Sequence, residues 1–116
     1  MILHIDVVNK VATYQKRDGC IVCGNSGYKI EFNLDSEWYS IRDIQAVLIV
    51  NGTHTYVDII RHEELDTEAG EVFYTYSCNV PRITNADKIV VGIHSESAEM
   101  ATTGTEIPCK KSILCT

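Results

Sequence analysis

Between Tyr28 and Asp35 apolar side chains stand at Tyr28, Ile30, Phe32 and Leu34, and polar ones at Lys29, Glu31, Asn33 and Asp35. Successive strand residues point to opposite sides, so this pattern predicts a strand with one buried and one wet face. The same period recurs at Leu3, Ile5 and Val7, at Val72, Tyr74, Tyr76, Cys78 and Val80, and at Ile89, Val91 and Ile93. Ile44 to Val50 is apolar at nearly every position, as suits a strand covered on both sides. It leads into Asn51-Gly52, the pair that favours a tight hairpin turn, and then into the β-branched and aromatic segment Thr53 to Ile60. Val11 to Tyr14 reads as a continuation after a bend at Asn9-Lys10, and Pro81 closes the strand before it. Ile107 and the tail from Ser112 to Cys115 are weaker strand candidates. Helical signals are confined to single turns, one after Ser36 carrying Trp38 and Ile41, and one from His62 to Ala69 before Gly70.

A chain of 116 residues holds one domain of ordinary size. About seven or eight short strands in that length imply an all-β fold, a single antiparallel β-sandwich of immunoglobulin-like or jelly-roll-like type spanning residues 1–116. Residues 1–27 are either a strand of the core or an arm reaching a neighbour. No apolar run approaches the ~18 residues of a membrane span, and Asp6 interrupts the start where a signal peptide would stay apolar. Ten basic against sixteen acidic residues give a net charge of −6, with basic residues paired only at Lys16-Arg17 and Lys110-Lys111. Releasing counterions from phosphate needs a concentrated basic surface, so neither nucleic acid nor membrane is an expected partner.

The residues that carry chemistry elsewhere are scattered here. Cys20 and Cys23 form a CxxC pair, and Cys109 with Cys115 is a looser second pair, so these four are the candidate zinc set. The reading preferred over it is free thiols, no metal and no cofactor, because an odd count of five cysteines leaves one over in any disulfide scheme. His4, His54, His62 and His94 lack metal-ligand spacing, and no nucleophile elbow or phosphate-binding glycine loop occurs. Glu63, Glu64, Asp66 and Glu68 read as a solvated loop. The expected protein is therefore not an enzyme. Trp38-Tyr39 is the remaining lead: exposed, the pair would stack on sugar rings, whereas a Trp38 folded back beside Phe32 and Ile41 would be a lid on the core.

Three segments in order, YKIEFNLDSEWYSIRDIQAVLIVNG, CNVPRITNADKIVVGIHS and TEIPCKKSI, together resemble the small β-sandwich module of bacteriophage baseplate and tail accessory proteins. The motifs are the acidic turn Asp35-Ser36-Glu37-Trp38, the segment Cys78 to Pro81, the strand Val91-Gly92-Ile93 and the closing Ile107-Pro108, and they cover about residues 28 to 113. Residues 61 to 76 read as an insertion that lengthens a hairpin. The resemblance implies a non-enzymatic virion structural protein, made in the bacterial host cytoplasm and mounted on the tail, baseplate or capsid surface as a homo-oligomer. Its partners would be copies of itself and other virion proteins. Leu3, Ile5 and Val7, with Val47 and Ile49 of the apolar strand, are the candidate assembly surfaces. A host-surface polysaccharide held by Trp38 and Tyr39 is the alternative.

Overall fold

The computed structural model describes residues 1–113. Among them it places eleven strands in two mixed sheets. The strands are β1 (Ile2–Val8), β2 (Val11–Tyr14), β3 (Ile21–Cys23), β4 (Lys29–Leu34), β5 (Ile44–Val50), β6 (Thr53–Asp58), β7 (Ile60–Asp66), β8 (Glu71–Asn79), β9 (Lys88–Ser95), β10 (Met100–Ala101) and β11 (Thr105–Lys111). The first sheet runs β2-β1-β4-β8-β7 and the second β3-β11-β9-β5-β6, with β10 pairing β9 ahead of β11.

Alternation decides which side chains face inward. Ile30, Phe32 and Leu34 of β4, Ile44, Ala46 and Leu48 of β5, and Ile89, Val91 and Ile93 of β9 are all buried in one apolar cluster shared by the two sheets. Tight turns follow the local chemistry. Asn51 and Gly52 take positive φ (50° and 79°) between β5 and β6, and Asn9 and Lys10 do the same (51° and 62°) between β1 and β2.

Two strand pairs depart from the antiparallel expectation: β1 runs parallel to β4, and β3 parallel to β11. The cause is the route of the chain. After β2 it crosses to the second sheet as β3 and returns as β4, so it re-enters beside β1 pointing the same way. Residues 1–27 thus supply β1, β2 and β3, with β1 inside the first sheet between β2 and β4.

One flank between the sheets is stitched. The Ala12 and Tyr14 amides of β2 donate to the Thr103 and Thr105 hydroxyls at 3.1 and 3.0 Å, and the Thr103 amide donates to the Lys10 carbonyl at 2.9 Å. The opposite flank carries the edge strands β6 and β7, joined through the single residue Ile59. The stretch from His62 to Ala69 is strand and hairpin turn there, not a helical turn, because its residues pair in register with β8 from His62↔Thr75 to Asp66↔Glu71. β4 pairs only with Phe32↔Tyr76 onward, leaving residues 71–75 of β8 to β7 alone. The hairpin therefore runs on for about 17 Å beyond its last pair with β4. Its projection fits a radius of gyration of 14.9 Å, against about 13 Å for a compact chain of this length.

Candidate functional site

Where the projecting hairpin leaves the sheets, a cleft of about 250 Å³ opens, lined by Ile41, Arg42, Ile44, Ile59, Arg61 and Tyr76. Local structure puts each of these in place. A 3-10 turn over Ser36–Trp38 buries Trp38 completely and hands the next residue, Tyr39, to the surface. Ile41 and Arg42 follow in the loop that enters β5 at Ile44. Ile59 links β6 to β7, its amide donating to the Ile44 carbonyl at 3.2 Å, which holds the crossover against the start of β5.

Register then sets Arg61 of β7 opposite Tyr76 of β8. The Arg61 guanidinium donates from Nη1 to the Tyr39 carbonyl at 2.7 Å, pairs through Nη2 with Glu63 at 3.2 Å, and lies 4.8 Å from the centre of the Tyr74 ring. That cation over an aromatic face fixes the ring and the loop together. Tyr39 packs on Tyr74 with ring centres 5.0 Å apart and lies stacked near Tyr76 at 6.5 Å. The three tyrosines form a continuous aromatic wall. Tyr76 is 1% exposed, and its hydroxyl is sealed from solvent without a hydrogen-bond partner. Burial pushes its ionisation up; Arg61 faces it closely enough to oppose that shift without completing a hydrogen bond. Arg42 is exposed and forms no ion pair among the described residues. A wall of phenol rings beside two guanidinium groups can bind an anion attached to a flat, weakly polar body.

Of the residues singled out from the sequence, Tyr39 adjoins this cleft through its contacts with Arg61 and Tyr76 without lining it, and Trp38 does not serve it. Trp38 is 0% exposed, so it cannot stack on a ligand and is a core side chain; the 3-10 turn points successive residues to different sides. Leu3, Ile5 and Val7 are likewise corrected from a candidate assembly surface to core, at 0–1% exposure, because β1 is an interior strand whose odd-numbered residues face the second sheet. Val47 and Ile49 point to the other face of β5 and are half-buried. They line a shallow groove with Val90, Gly92, Ala101, Thr102 and Gly104.

Cys23, Cys78 and Cys109 are buried thiols and Cys20 is half-buried. Cys115 lies outside the described residues, and among the described residues no three potential ligands converge as a metal site. Burial pushes the Cys78 thiol up to about 12, and burial with Cys23 alongside raises Cys109 to about 11.

Arg42, Arg61, Tyr74 and Tyr76 were not singled out by sequence reasoning. The Tyr74-x-Tyr76 alternation was visible, but the arginine opposite it depends on strand pairing that no local pattern specifies. Compared with known proteins, the chain matches no family model, no curated protein and no solved structure.

Proposed function

We propose that the two sheets act as a β-sandwich scaffold and that the chain is a non-enzymatic structural protein of a bacteriophage virion, docking to copies of itself on the tail, baseplate or capsid surface. The observation that carries this reading is the β7–β8 hairpin. It exposes Leu65 and Val72, which face each other on one side, and Ile60 and Phe73 on the other, all 49–64% accessible. β7 also presents an unpaired backbone edge. A two-stranded ribbon with apolar groups on both sides is marginal alone in water and gains roughly 1.5–3 kcal/mol for each large side chain a partner buries. An open edge adds a row of backbone donors and acceptors for strand addition.

Light scattering on the purified chain tests this reading, with Leu65→Ser/Phe73→Ser as the comparison. The wild type associates in a concentration-dependent way and the double variant stays monomeric with an unchanged urea midpoint. A wild type that is monomeric at every concentration, or a double variant that associates equally well, overturns the docking role. Genes flanking the coding sequence that encode no tail or capsid proteins overturn the virion assignment.

A further inference from the structure

We propose that the cleft at the base of the hairpin is a binding site for an acidic sugar, whose oxyanion sits between Arg42 and Arg61 and whose ring lies against Tyr39. Four observations converge on it. First, Arg42 lines the cleft with no acid paired to it among the described residues. The nearby carboxylates are engaged: Asp43 accepts from the Ser95 and Ser97 hydroxyls at 2.6 and 2.5 Å, Asp58 from Gln45 at 2.8 Å, Glu37 is paired with Lys10 at 3.0 Å, and Glu63 takes one edge of Arg61 at 3.2 Å, leaving that guanidinium to contribute its remaining donors. The guanidinium N–H donors of Arg42 are thus left for a ligand, on a chain whose net charge of −6 would otherwise repel an anion.

Second, Tyr76 lines the cleft and its buried hydroxyl has no hydrogen-bond partner, a condition that costs free energy until an acceptor arrives. An oxyanion drawn in by the two guanidinium groups supplies that acceptor. Third, Tyr39 does not line the cleft itself but adjoins it, its carbonyl held by Arg61 and its ring 6.5 Å from that of Tyr76, and at 39% exposure it offers an accessible ring beside the opening. Aromatic faces stack on the C–H face of a sugar ring with little loss of conformational entropy. Fourth, at about 250 Å³ the cleft is smaller than the ~300–1,000 Å³ of sites that enclose drug-sized ligands, so it takes one ring and its anion.

Titration calorimetry with three oligosaccharides of equal length tests the site: one containing glucuronate, one containing a sugar phosphate and one neutral. At least one of the anionic pair binds, about 10- to 100-fold tighter than the neutral one, the range expected of charge-assisted hydrogen bonds. Which of the two binds identifies the oxyanion as carboxylate or phosphate. Arg42→Gln, a change at an exposed side chain, lowers affinity by a similar factor with an unchanged urea midpoint, and amide shifts in the wild type cluster at Tyr39, Arg61 and Tyr76. The proposal is overturned if neither anionic oligosaccharide binds, if Arg42→Gln binds as well as wild type, or if inorganic phosphate competes as strongly as the sugar.

Discussion

Trp38 is the chain's single tryptophan, fully buried, with an indole N–H that has no hydrogen-bond partner. Two substitutions separate what its volume and its polar atom contribute. Trp38→Ala removes the whole side chain and leaves a cavity beneath the loop that carries Tyr39, at an expected cost of about 3–5 kcal/mol. Trp38→Phe removes less volume and also deletes the orphaned donor, whose burial costs about 1–3 kcal/mol. Packing loss and relief then largely offset each other, and the net destabilisation falls to about 2 kcal/mol or less. Against a total stability of about 5–15 kcal/mol, the alanine change is a large fraction and the phenylalanine change a small one. Urea unfolding followed by far-ultraviolet circular dichroism reads both, while fluorescence of the wild type reads the environment of the indole directly. A blue-shifted emission shielded from iodide is expected. Emission like that of free indole, or Trp38→Ala costing no more than Trp38→Phe, would refute the buried-lid account of this residue.

Other consequences are also measurable. The Ser95 and Ser97 hydroxyls and the Ser97 amide all donate to Asp43, holding its carboxyl well below the usual range. Since the folded value is the depressed one, the stabilisation is complete above the unfolded pKa near 4 and is lost as pH falls toward the folded value. Asp43→Asn should flatten that acid limb of the stability profile, and an unchanged limb would count against the network. With its ionisation raised to about 12 by burial, Cys78 should resist a thiol reagent at pH 8 in the native protein and react only on unfolding, while half-buried Cys20 reacts first. At Gly104 an added Cβ would lie 2.4 Å from Cγ1 of Val90, so Gly104→Ala should cost about 1–3 kcal/mol by overpacking, measured by urea midpoint.

Chemistry that is local in the chain was legible in the order of residues alone. Period-two alternation identified β4, β9 and the core half of β8, since a strand that rests on an apolar layer must alternate. Asn51-Gly52 announced its hairpin because few residue pairs accept positive φ at both corners. The β-branched run after it marked β6, whereas the residues alone suggested a helical turn over His62 to Ala69 where β7 and its hairpin turn lie.

What the tertiary structure alone decided is which strands meet. Alternation marks Leu3, Ile5 and Val7 as one face of a strand without saying whether a partner sheet or solvent covers that face; the β3 detour, which brings β4 back parallel to β1, makes it core. Trp38 and Tyr39 are neighbours in sequence, yet a three-residue turn buries one and exposes the other. The cleft depends most on this long-range information. Arg61 meets Tyr74 and Tyr76 through strand register, and Tyr39 reaches them only because a loop between the sheets folds over the base of the hairpin. Pairing energy is spread over many non-local contacts, so the sequence determined the strands and their inward faces, and packing decided the site.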